Sequence, residues 1–223
     1  GIAVGMVIEN NRIERIHSRG IHVGGQNRDV FHRGFVIRNN YIDNTSQAGI
    51  LISHVAGARI EGNTVYRAGN YYPEGDQAGT LAACWAADSR DVIIQFNEVA
   101  YTRLGDVHRP DGNLNEQSHD SQAFDIDVGA PGWHLIQYNY THDNEGGFML
   151  WMGNPGPQFE CAIVRYNLSI NDGRGFGNRL FELHSHTDDD TYAVAVKHNT
   201  FVNTQRIWLN NRARNQDRHR GWI

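Results

Sequence analysis

The sequence predicts an all-β fold: a right-handed parallel β-helix, a solenoid with three short strands per coil and about seven coils. Three observations predict it. A strand–asparagine–strand pattern recurs along the chain. Isoleucine and valine alternate with polar residues on both sides of each asparagine. A third short apolar run follows most repeats before the next one begins.

The first two strands of each coil and the asparagine between them read VIENNRIERI at 7–16, VIRNNYIDNT at 36–45 and ARIEGNTVYR at 58–67. The pattern returns as VIIQFNEVAY at 92–101, HLIQYNYTHD at 134–143, AIVRYNLSIN at 162–171 and AVKHNTFVNT at 195–204. Ile8, Ile13, Ile37, Ile42, Ile60, Val65, Ile94 and Val99 alternate with polar neighbours, which is the period of a strand and not of a helix. The aligned residues Asn11, Asn40, Asn63, Asn97, Asn139, Asn167 and Asn199 are assigned a structural role. Asparagine tolerates the left-handed backbone that turns a strand sharply. Stacked asparagines can also bond to one another and to backbone along the axis. The shortest interval, Asn40 to Asn63, is 23 residues, and longer intervals are insertions on particular coils.

The third strand reads GIHV at 20–23, GILI at 49–52, AFDIDV at 123–128, GFMLWM at 147–152, LFELHSH at 180–186 and RIWL at 206–209, with TLAACW at 80–85 as an uncertain counterpart in the third coil. No single coil buries its apolar face alone, so stacking makes the core and stability is a sum of neighbour contributions. Residues 1–223 are expected to form one β-helix domain. Neither end shows a polar cap, which points to a piece of a longer solenoid.

A net charge of −5 gives no basic footprint for nucleic acid. Lys197 is the only lysine, and every other basic residue is arginine. No apolar run reaches the roughly 20 residues of a membrane span. The chain opens on Gly1, so its start is read as processed or incomplete. Cys84 and Cys161 form neither a disulfide framework nor a zinc pattern and are read as small buried residues.

The segment HLIQYNYTHDNEGGFMLWMG at 134–153 resembles a coil of the pectate-lyase-like β-helix superfamily, and the repeat extends that likeness over nearly the whole chain. That superfamily includes lyases, glycoside hydrolases, epimerases and phage tailspikes, so the resemblance is specific for fold and weak for activity. It implies that, counted as in that superfamily, the G-I-x-V-like strand is the first of each coil and the asparagine turn joins the second and third. It also implies a carbohydrate-active protein whose site lies on the G-I-x-V-like strand.

With Ile21, Ile50, Phe124, Phe148, Phe181 and Ile207 pointing inward, strand alternation puts His22, Leu51, Asp125, Met149, Glu182 and Trp208 on an exposed outward ladder. A second outward ladder carries Gly24, Ser53, Asp127, Trp151 and His184. Asp125, Asp127 and Glu182 are the candidate catalytic carboxylates, with His184 in support. Two coils separate Asp125 from Glu182, about 9.6 Å between backbones. That fits an inverting pair, roughly 6.5–9.5 Å, better than a retaining pair near 5 Å, although backbone spacing alone does not decide. Trp151, His186, His119, Arg109, Arg179 and Glu145 are the candidate substrate contacts. Trp151 would stack on a sugar face, and the insertion at 101–122 would wall the site.

No metal site is assigned and no cofactor is required. Calcium is an open alternative at the THDNEGG turn, through Asp143, Asn144 and Glu145. The leading function is a secreted or extracytoplasmic glycoside hydrolase acting on a polysaccharide or oligosaccharide. Two alternatives stand beside it. One is a lyase or epimerase acting on uronates, with Arg109, Arg174, Arg179, His119 or His184 in place of a lysine base. The other is a non-catalytic carbohydrate-binding or adhesive solenoid.

Overall fold

Strand pairing in the computed structural model is parallel throughout. The structure describes residues 1–25, 30–70, 82–103, 121–127, 131–152, 159–175, 180–184, 191–203, 209–211 and 220–222. Among these residues there is no helix, and so none long and apolar enough to cross a membrane.

Among the described residues, three long sheets run along the stack. The first has 8 strands, from Val7–Glu9 to Arg220–Trp222. The second has 7, from Arg12–Ile16 to Thr200–Val202. The third also has 7: Ile21–Gly24, Ile50–Ser53, Cys84–Ala87, Phe124–Asp127, Met149–Met152, Phe181–His184 and Leu209–Asn211. Each coil contributes one strand to each long sheet, so interior strands pair with their equivalents above and below.

Register makes the core. Ile8, Ile37, Ile60, Ile94, Ile136 and Val164 stand in line on the first sheet. Ile13, Ile42, Val65 and Val99 do so on the second. β-Branched residues suit this pleated, stacked surface. The second column then turns polar: Val99 is followed by Thr141 and Ser169, both fully buried. Their hydroxyls both donate to the buried carboxylate of Asp172, Ser169 at 2.5 Å. Asn144 adds its backbone N–H at 3.1 Å and its side-chain amide at 2.8 Å. Burial pushes the Asp172 carboxyl above its ordinary range, against these four donors.

The repeating asparagines form one continuous ladder. Asn63 Nδ2 donates to Asn97 Oδ1 at 3.0 Å, Asn97 to Asn139 at 3.0 Å, and Asn139 to Asn167 at 3.0 Å. Each amide also reaches a backbone carbonyl one coil back, as Asn97 does with Ile60 at 2.9 Å. The left-handed residue is not the asparagine itself but its predecessor: Asn10, Asn39, Gly62, Phe96, Tyr138, Tyr166 and His198 all have φ between 55° and 65°. The turn is therefore shared between two residues, one bending the chain and the next satisfying its backbone. Cys84 and Cys161 are free thiols, both buried.

Candidate functional site

The third sheet sets the site, and its register corrects the expected ladder in two coils. Phe124 pairs with Met149, not with Phe148, so Asp125 lies beside Leu150 and Ile126 beside Trp151. The outward ladder is His22, Leu51, Trp85, Asp125, Leu150 and Glu182, with Asn210 at the next register position. Phe148 remains in the core from the turn before the strand, packed edge-on against Phe124 at 5.4 Å and Phe201 at 5.6 Å. Because the strand starts one residue later, every side chain after it changes face.

Trp151 is the main casualty. It points inward, is 0 % exposed, and packs edge-on against the buried His134 with ring centroids 5.5 Å apart. It is a core residue and cannot stack on a sugar. In the last coil the register places Asn210 beside Glu182, while Trp208 lies outside the described residues.

Asp125 and Glu182 do share one outward register, with Leu150 between them. Along their strands they alternate with Phe124, Ile126 and Phe181, which lie in the apolar core. The ladder is not open as expected, however: Asp125 is 2 % exposed, Leu150 2 % and Glu182 1 %. Asp127, two residues beyond Asp125 on the same face, is half-buried and accepts a hydrogen bond from Trp85 Nε1 at 3.2 Å. His184 occupies the strand position in register with Met152. His186, His119, Arg109 and Arg179 lie outside the described residues.

Glu145 sits in the turn entering the Met149–Met152 strand. It accepts a hydrogen bond from Arg103 Nη1 and borders a groove of about 350 Å³ with Tyr101, Asp143 and Arg174. The oxygens proposed for calcium are committed elsewhere. Asn144 Oδ1 accepts from the backbone of Thr102 at 3.0 Å, and Asp143 accepts from Asn171 at 2.6 Å and Arg174 at 3.2 Å. With two guanidinium groups already against the turn, its arrangement does not suit a divalent cation. Among the described residues no group of three or more His, Cys, Asp or Glu side chains could hold a metal.

Two features escaped sequence reasoning. Trp85 belongs to the outward ladder directly beside Asp125, but a long insertion hid the register of its coil. The second is a polar relay on the second sheet. Tyr66 Oη donates to Glu98 at 2.5 Å, and His142 lies 3.4 Å from Glu98 and 3.0 Å from Asp143. Burial and the bond to Glu98 push the Tyr66 hydroxyl far above its usual range. Burial pushes the Asp143 carboxyl up, but His142, Asn171 and Arg174 hold it below its ordinary value. The relay joins three coils at positions no contiguous motif contains.

Three parallel sheets, one strand per coil, and an asparagine ladder at one corner define a parallel β-helix solenoid. The chain belongs to the family described as right handed beta helix region, which matches residues 3–164. A comparison with curated proteins gave no match. Among solved structures, the chain resembles a GH136 lacto-N-biosidase from Eubacterium ramulus. Its selenomethionine derivative aligns with a TM-score of 0.50 at 21% identity, covering 86% of this chain and 28% of that one. The native form aligns with a TM-score of 0.48 at 20% identity, with the same coverage. This likeness is one of fold, and the chain spans little more than a quarter of that protein's length.

Proposed function

We propose that this β-helix cleaves glycosidic bonds in a polysaccharide or oligosaccharide, with Asp125 and Glu182 as the paired carboxylates. The observation that carries the reading is their common outward register across Leu150. Two strand steps put their backbones about 9.6 Å apart, enough room for a water between one carboxylate and the scissile carbon. One carboxyl protonates the leaving oxygen while the other activates that water. Asp127, oriented by Trp85, is the more accessible acid on the wall and contacts the sugar beside the bond. The lacto-N-biosidase of like fold supports carbohydrate as the substrate class. Substrates of that class are met outside the cytoplasm, which fits a secreted protein.

Lyase chemistry needs a base and a cation that neutralises a uronate carboxylate. Lys197 stands on the first sheet in register with Arg165, away from this wall. Product analysis separates the readings. The full chain incubated with neutral and uronate oligosaccharides should release reducing ends with no new ultraviolet absorbance. An absorbing, unsaturated product identifies a lyase, and binding without any cleavage identifies a carbohydrate-binding solenoid.

A further inference from the structure

We infer that a shallow groove at the asparagine-turn corner, above Phe96, is a binding site for a neutral pyranoside ring, separate from the wall that carries Asp125. The left-handed corner residues form a column. Phe96, Tyr138, Tyr166 and His198 stack face to face at 5.2–5.4 Å, with interplanar angles of 6–11°. Each interior ring uses both faces on its neighbours. The column ends at Phe96, because the next corner residue is Gly62, which has no side chain. One face of the Phe96 ring is therefore covered by Tyr138, and the other looks onto the groove. The ring is 58% exposed.

The groove is open to solvent and is bordered by Glu9, Arg38, Asn39, Glu61, Gly62 and Phe96. Its chemistry is that of a sugar site. An open aromatic face meets the C–H face of a pyranose whose hydroxyls are equatorial, and amides and carboxylates around it exchange hydrogen bonds with those hydroxyls. The lining also selects against charge. Arg38 Nε donates to Glu9 at 2.6 Å, and Glu61 accepts from Arg59 at 3.0 Å and Gln95 at 2.9 Å. Every charged group on the wall is already balanced, so no spare cation awaits a uronate.

The inference does not depend on the cleavage reading and can be tested without turnover. The full chain is titrated with cellotetraose, reading the backbone amide signals of Gly62 and Phe96 by NMR. Saturable shifts at these amides are expected, with a Kd on the order of 1 mM for so open a site. Tetragalacturonate should leave them unmoved. Two variants keep the backbone conformation, since asparagine already occupies the left-handed corner at Asn10 and Asn39. Phe96→Asn removes the platform. Gly62→Asn fills the floor of the groove, and the one close contact its Cβ meets, 2.6 Å from Asn39 Oδ1, is a rotatable amide. Each should weaken cellotetraose binding at least about tenfold, with an unchanged circular dichroism spectrum. Asp125→Asn with Glu182→Gln should bind as the parent does. Absence of shifts, shifts centred on the Asp127 strand instead, equal binding of tetragalacturonate, or parental affinity in both corner variants would overturn the assignment.

Discussion

Asp125 and Glu182 face the same way from strands two steps apart, and the side chain between them is Leu150. Nothing local in the sequence joins these two acids. They meet because seven coils repeat one geometry closely enough to keep register through long insertions. The interactions that hold that register are therefore the first to test.

The asparagine ladder should be strongest in the middle. Asn97 donates to Ile60 and Asn139 and accepts from both the backbone and the side chain of Asn63. Asn97→Ala strips partners from buried groups on both neighbouring coils, at a cost on the order of 3 kcal/mol. Asn11→Ala acts at the exposed first rung and should cost under about 1 kcal/mol. Urea unfolding of both variants measures the difference, and equal costs would contradict a ladder whose strength comes from burial.

The fold was legible because its signals are local and repeated: alternating apolar residues, a corner asparagine, a third short strand. The site was less so, for a physical reason. Strand side chains alternate with period 2, so one extra residue in a turn exchanges the faces. At GFMLWM both Phe148 and Met149 are apolar enough to begin the inward set, and the pattern cannot say which does. The structure chooses Met149 because Phe148 fills core space from the preceding turn. AFDIDV and LFELHSH have no such ambiguity, since an acid sits between two apolar residues in each, and Asp125 and Glu182 fell on the expected face. Their burial was not legible, because alternation tells which way a side chain points and not what lies over it.

Trp151 provides a check on the corrected register. As a core residue whose indole N–H has no hydrogen-bond partner among the described residues, it should tolerate Trp151→Phe at about 1–2 kcal/mol, while Trp151→Ala should cost about 3–5 kcal/mol. Neither change should alter KM for an oligosaccharide in the folded protein. A raised KM with little loss of stability would return Trp151 to the binding surface.

Asp172 should leave a pH signature in stability. Its folded-state pKa is raised, first by burial. The folded state thus binds a proton more readily than the unfolded chain, and stability falls as pH rises above the ordinary carboxylate range through the raised value. Asp172→Asn removes that component: its Oδ1 still accepts from Asn144, and the hydroxyls of Thr141 and Ser169 can rotate to accept from its amide. The Tm of the variant relative to the parent should increase as pH rises from about 4 through the raised value, and then level off. A constant difference would show that Asp172 does not titrate with folding.

The decisive measurement is turnover by Asp125→Asn and Glu182→Gln, each made in the full chain and assayed by release of reducing ends from an oligosaccharide the parent cleaves. Both changes keep side-chain size, and circular dichroism should show the solenoid intact. Each should lose at least about 100-fold in kcat, the scale expected for removing a general acid or base. Parental turnover in both folded variants would remove these carboxylates from the chemistry and leave the shared ladder as architecture alone.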